Sequence, residues 1–330
     1  MLSNRISTQI LFLAFLIIPL QTGCESSSSP ETSVVSEDIK APDTIPKQPE
    51  VTEPAVQKAP ATATVQPEAP AAKSPHAATS VSRTAAPAGS PKPLFKDWPA
   101  PKLAIVLTGE RHGYLEPCGC TQNQTGGVSL LANLFKQIED RKWPVTAFDL
   151  GGLVKRNRRQ SQIKYETILA SMKDMNYAGV GLGPEELRFG ADIFLQLHNP
   201  EPQAPNTTPT FLAANILILE TPGLGKTAFK IVEVGGVKMA VTSILSKSQT
   251  EKFPDITWQE PAKVLPDVIQ QMQAAKPDLM ILLSQSEKEE SKALAEKFPQ
   301  FDLLLTAGGV EDPLGEPTFI GNTMMVDVGH

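Results

Sequence analysis

Residues Thr108–Cys120 read TGERHGYLEPCGC. They follow a short apolar run, Leu103 to Leu107, so an acid, a histidine and two cysteines lie just past the end of a predicted strand. Gly126-Gly127 then opens an amphipathic stretch with Leu130, Leu131, Leu134, Phe135 and Ile138 at helical spacing. A second apolar run, Val145 to Leu150, is followed by Tyr165, Ile168, Leu169 and Met172, again at helical spacing, and then by a short glycine-rich strand, Gly179 to Leu182. Strands alternating with helices predict a parallel sheet covered by helices.

Further along, Pro184 suits the first turn of a helix running through Leu187, Ile193, Phe194 and Leu197. Phe211 to Leu219, Phe229 to Val234 and Val237 to Leu245 read as strands with no helix between them, the last two joined by a hairpin turn at Gly235-Gly236. A second α/β section follows: a helix over Pro261 to Ala275, a strand over Leu279 to Leu283, a helix over Glu287 to Phe298 and a strand over Asp302 to Leu305. Phe319 to Val328 closes the pattern as one strand or a strand pair. Gly225-Lys226-Thr227 is read as a turn and not a phosphate loop, because Glu220 occupies the position where that loop needs glycine.

Six landmarks in order resemble the calcineurin-like metallophosphoesterases, and among them the periplasmic 5'-nucleotidase branch. They are TGERHGYLEP from Thr108 to Pro117, the glycine pair with the helix after it, DLGG from Asp149 to Gly152, GPEELRFG from Gly183 to Gly190, FLAANI from Phe211 to Ile216, and the LSQ strand end at Gln285. The resemblance covers roughly residues 102–328 and implies a four-layer α/β/β/α sandwich with its site at the carboxyl ends of the strands. It also implies a second, base-recognising domain, whereas this chain ends at His330, leaving open that the domain is truncated.

The family binds two divalent cations, and carrying its ligands over residue by residue mostly fails. Glu110 stands for the first aspartate and His112 is kept, but the bridging aspartate falls on Gly152, the Asn-His pair on Pro184 and Glu185, and a later histidine on Gln285. A two-metal centre needs several imidazoles and a shared carboxylate. The chain has 4 histidines, and only His112 stands at such a position; His76, His198 and His330 lie elsewhere. No dimetal centre is therefore expected. Glu110, His112, Asp149 and Glu185 remain as candidate ligands for one divalent cation, against the alternative of solvated carboxylates beside a hydrogen-bonded histidine.

Cys118 and Cys120 carry a different chemistry. One intervening glycine brings two sulfurs close, which suits a reactive disulfide, a soft metal ion with His112 as a third ligand, or an inert pair. GYLEPCGC is similar to the UshA-like (seleno)protein subgroup, which implies chemistry with thiols, selenols or peroxides and a thiol redox partner. Residual phosphoester hydrolysis and a non-catalytic binding role stay open beside it.

Before residue 101 the composition changes. Residues 1–23 carry Arg5 and the apolar run Ile10 to Ile18, about half the roughly 20 residues that a spanning helix needs, so they read as a signal peptide. Thr22-Gly23-Cys24 resembles the bacterial lipobox, with Gln21 where that pattern prefers leucine, and implies lipidation of Cys24. Residues 24–100 are rich in Pro, Ala, Ser, Thr and Glu and cannot bury enough apolar surface to offset their ordering entropy; a disordered tether is expected. The expected place is the bacterial envelope, anchored to a membrane and facing the periplasm or exterior. A net charge of -6, with no basic stripe interleaved with aromatics, argues against a nucleic-acid partner.

Overall fold

Alternation of side chains along each strand decides this architecture. The computed structural model describes residues 94–117, 126–198, 209–308 and 316–328. The expected signal peptide, Cys24 and most of the expected tether lie outside the described residues. At residues 94–100 the expected disorder is corrected: Leu94 and Phe95 pack against the core, Phe95 stands 5.5 Å from Trp143 and Leu94 O accepts from Arg141 Nη2 at 2.6 Å. From the first described residues the chain enters β1 (Ala104–Thr108), α1 (Val128–Asp140), β2 (Val145–Asp149), α2 (Arg159–Asp174), β3 (Tyr177–Gly181), α3 (Pro184–Leu187), α4 (Ala191–His198) and β4 (Thr210–Leu212). These strands form a parallel sheet in the order β1-β2-β3-β4, with Thr108 beside Asp149 and Gly181 beside Leu212.

The chain continues through β5 (Ile216–Ile218), β6 (Phe229–Val234), β7 (Val237–Leu245), α5 (Lys247–Thr250), β8 (Ile256–Trp258), α6 (Pro261–Ala274), β9 (Leu279–Glu287), α7 (Lys288–Lys297), β10 (Leu303–Gly308), β11 (Thr318–Ile320) and β12 (Thr323–Asp327). A second sheet has the order β11-β12-β10-β9-β7-β6, parallel at its centre and antiparallel at both edges, while β5 and β8 form a separate antiparallel pair.

In β1, Ala104 and Val106 face the helices α1 to α4, whereas Ile105 between them faces the second sheet. In β9, Ile281 and Leu283 meet Phe148, Leu150 and Leu212 of the first sheet, whereas Met280 and Leu282 turn to Leu265, Val268 and Leu294 on α6 and α7. Both sheets thus bury both faces, which is why their central strands read as unbroken apolar runs. The result is the expected four-layer α/β/β/α sandwich. Truncating a fully buried member such as Leu283 to alanine costs about 2–5 kcal/mol.

Two further expectations are corrected. The single strand over Phe211 to Leu219 is two strands in different sheets. Between them Asn215 folds inward, its amide donating to Leu245 O (2.8 Å) and Gln259 O (3.1 Å) while its side-chain oxygen accepts from Leu245 N (2.9 Å). The helix from Pro184 through Leu197 is broken into α3 and α4 at Gly190, whose φ is 80°. The run Phe319 to Val328 takes the strand-pair form of its expectation, a hairpin turning at Gly321 with Thr318 beside Met325. The Gly235-Gly236 hairpin is as expected, both residues having positive φ (61° and 69°). The Gly225-Lys226-Thr227 stretch carries the buried Lys226, whose Nζ donates to Ala213 O at 2.8 Å.

Candidate functional site

The segment after β1 runs alongside the segment after β2. Glu110 N donates to Gly151 O (2.9 Å), His112 N to Gly152 O (3.0 Å) and Gly113 N to Leu153 O (2.8 Å), which holds Glu110 and His112 in the left-handed region at φ 49° and 51°. A left-handed acid and histidine two residues apart are backbone strain concentrated where side chains must be aimed. The site follows from that aim.

His112 Nε2 donates to Glu110 Oε2 at 2.9 Å, and Gln285 Nε2 donates to Glu110 Oε1 at 2.9 Å from the end of β9. Both members of the Glu110–His112 pair are mostly covered, at 13% and 12% side-chain exposure. Glu185, in the first turn of α3, pairs with Arg188 at 3.3 Å. Burial raises its pKa, the Glu110 charge raises it further, and Arg188 and His112 pull it back. Glu110, His112, Glu185 and Gln285 therefore form one polar group at the strand ends.

The space above Gly152 is filled by that group. A Cβ built on Gly152 would stand 2.7 Å from Glu110 Oε1 and 2.9 Å from Oε2, and Gly152 itself has φ 73°. Any side chain there would displace the Glu110 carboxylate from its bonds to His112 and Gln285. Among the described residues no three His, Cys, Asp or Glu side chains are grouped so as to hold a metal ion.

Asp149 does not join this group. It lies fully buried on the other side of the segment, where Arg111 Nε donates to its Oδ2 (2.9 Å), Thr108 Oγ1 to the same oxygen (2.6 Å) and Gly151 N to its Oδ1 (2.9 Å). Arg111 also donates to Thr108 Oγ1 (2.9 Å) and Tyr177 OH (2.7 Å). Burial works against the Arg111 charge, but Tyr177 and Asp149 outweigh it and its pKa is raised; burial pushes the Tyr177 hydroxyl to about 12. With its acceptor positions taken, Asp149 is a structural carboxylate and the expectation that it points at a cation with Glu110 does not fit its contacts.

Glu186, which the sequence reading passed over in favour of its neighbour, is fully buried beneath the site. Its carboxyl accepts from Leu153 N (2.8 Å), Gly183 N (2.9 Å) and Gly152 N (3.2 Å), so it ties the segment after β2 to α3. Burial and then Glu185 raise its pKa to about 8, against the pull of the three amides. Two adjacent glutamates opening a helix are the only trace of this in the sequence.

Cys118 and Cys120 lie outside the described residues, but the chain on either side of them is described. It leaves at Pro117 and returns at Gly126, and a Cβ on Gly127 would stand 2.7 Å from the Glu116 carbonyl carbon and 2.9 Å from Pro117 N. Val128 N donates to Tyr114 O (3.2 Å), Ser129 N to Leu115 O (3.1 Å) and Ser129 Oγ to Glu116 Oε2 (2.7 Å). The two ends of the cysteine segment are thereby fastened together at the start of α1, next to the segment that carries His112.

No protein-family model matches the chain, and no curated protein is similar to it. Solved structures do match. A 5'-nucleotidase precursor from Thermus thermophilus superposes with a TM-score of 0.58 at 16% identity, over 68% of this chain and 48% of that one. The sulfate thiohydrolase SoxB of the same genus gives 0.55 at 16% identity, over 70% and 52%, and the NAD nucleotidase NadN of Haemophilus influenzae 0.51 at 17%, over 68% and 44%. This chain spans about half the length of those proteins. Its fold is that of the 5'-nucleotidase-like metallophosphoesterases.

Proposed function

We propose that this chain is an exported, lipid-anchored protein that uses the 5'-nucleotidase-like fold without two-metal hydrolysis and works through the thiols of Cys118 and Cys120. The observation that carries the first half is the Glu110 carboxylate, which fills the space over Gly152 and is fastened there by His112 and Gln285. A pair of divalent cations needs a bridging carboxylate, and neither Gly152 nor Pro184 has a donor to offer. The residues present do not fit a metal pair.

Support for the second half is positional. The cysteine segment starts and ends against Tyr114 to Glu116, the residues that follow His112 in the chain, and two sulfurs separated by a single glycine suit exchange with a disulfide partner. One thiolate attacks the partner disulfide to give a mixed disulfide, the second displaces the partner's remaining thiolate, and the partner leaves as a dithiol while Cys118 and Cys120 become the disulfide. Two electrons pass to the partner, and the two protons given up as the cysteine thiolates form are taken up by the partner's two thiolates.

Purified protein should contain two alkylatable thiols after reduction and none after treatment with an oxidised dithiol. Cys118→Ser should abolish disulfide exchange, and nucleotides with manganese should yield no phosphate. Manganese-dependent phosphate release, or two tightly held cations per chain by elemental analysis, would sink the reading. One soft metal ion lost in Cys120→Ser would redirect the cysteines to metal binding. For the anchor, Cys24→Ser should move the protein from the membrane fraction to the soluble one.

A further inference from the structure

The acidic overall charge conceals a basic run at the rim of the strand-end face. Lys155, Arg156, Arg158 and Arg159 lie in the segment that leads from β2 into α2, and all four side chains are exposed. None of them pairs with an acid among the described residues; Arg159 only donates to Gln162 Oε1 at 3.2 Å. The segment is held to Arg188, whose Nη1 donates to Lys155 O (3.0 Å) and whose backbone oxygen accepts from Asn157 Nδ2 (3.2 Å). Four unpaired cations on a fastened segment are exposed charge with no internal use.

Apolar groups accompany them. Ile163, one turn beyond Arg159 on α2, is 50% exposed, and Tyr114 is 38% exposed. Gly113, next to Tyr114, lies against the Lys164 side chain, so the Tyr114 segment and the start of α2 share one rim. The helix itself adds to the positive field, because its first turn has no acid and its N-cap makes no side-chain bond.

We propose that this rim is a docking surface for an anionic phospholipid bilayer. Basic side chains around protruding aliphatic and aromatic groups suit such a surface, with charge attracted to headgroups and Ile163 and Tyr114 entering the interface. A small phosphate ligand would need a walled pocket, whereas these side chains stand in solvent. A net charge of -6 repels an anionic surface as a whole, but screening limits that repulsion to roughly 8–10 Å, so the local run decides the contact. The proposal stands apart from the thiol reading and from the lipid at Cys24.

The test is the partition of the full chain between vesicles of phosphatidylcholine alone and of phosphatidylcholine with phosphatidylglycerol in equal parts. Any lipid or apolar segment of the chain acts on both kinds, so the ratio isolates charge. Each basic side chain contributes on the order of fivefold at low salt, so changing all four to glutamine should lower the ratio by roughly 600-fold. Salt of about 0.5 M should have a similar effect on the unaltered protein. Lys263→Gln with Lys297→Gln, on the opposite layer, should leave the ratio unchanged, and thermal melts should confirm that all variants fold. Ile163→Ser and Tyr114→Ser should each weaken vesicle binding several-fold and leave heparin binding unaltered. No preference for phosphatidylglycerol in the unaltered protein, or a preference that survives the four glutamines, overturns the proposal. So does vesicle binding indifferent to Ile163 and Tyr114, which would mark a general polyanion surface such as a nucleic acid would use.

Discussion

Two sides of one short segment behave as different materials. Arg111 points into the protein, where it joins Asp149, Thr108 and Tyr177 in a sealed set of charge-assisted hydrogen bonds. Glu110 and His112, its immediate neighbours, point the other way, into the mostly covered polar group that they form with Glu185 and Gln285 at the strand ends. The sealed side adds to the backbone bonds of Glu110 N to Gly151 O and His112 N to Gly152 O, which hold the two neighbours of Arg111 left-handed. The aim of Glu110 and His112 therefore depends on bonds made on the opposite side of the same segment.

The largest expected effect is on the sealed side. Arg111→Met leaves the Asp149 carboxylate buried with no counter-charge and should cost about 3–5 kcal/mol in urea unfolding. Pairing it with Asp149→Leu should recover much of the loss, because the uncompensated charge is then gone. A single variant as stable as the parent would mean that solvent reaches Asp149, and the contrast between the two sides would collapse.

Next in size is Gly152→Asp, which would restore a carboxylate where the resembling family has one. The new Cβ must push the Glu110 carboxylate away at a residue with φ 73°, so a loss of about 1–3 kcal/mol is expected. Shortening the obstacle with Glu110→Asp in the same chain should return part of it. If Gly152→Asp alone is neutral and the protein then retains two manganese ions through gel filtration, Glu110 is a movable ligand and not a filler.

Legibility in the sequence followed chain distance. The strands of both sheets could be read from runs such as Met280 to Leu283, and Glu110 and His112 from their place just past a strand. What escaped was decided by partners far along the chain. Arg111 meets Asp149 across 38 residues and Gln285 meets Glu110 across 175, and no local pattern announces either. Asn215 looked like one more residue in a strand because its bonds to Leu245 and Gln259 were equally remote. Glu185 and Glu186 are adjacent, but a helical turn of about 100° per residue sends one to the rim and the other into the core.

That last pair sets the smallest and most discriminating effect. At its ordinary value of 4.5 an unfolded Glu186 has lost its proton by neutral pH, whereas in the fold its pKa is raised to about 8, first by burial and then by Glu185. Between those values the folded chain holds a proton that the unfolded chain has released, so stability falls as pH rises. The contribution is fully present below 4.5 and is lost by the time pH has passed through 8. Glu186→Gln removes the titration but sets an amide NH2 where one carboxyl oxygen accepts a backbone N–H, so below about pH 5 it should cost about 1–3 kcal/mol. Its signature is the slope: urea midpoints from about pH 5 to about pH 9 should decline less steeply in the glutamine variant than in the parent. Equal slopes would mean that the amides of Gly152, Leu153 and Gly183 hold an ionised carboxylate, and that the buried side of the site is as firmly charged as the Arg111–Asp149 clamp.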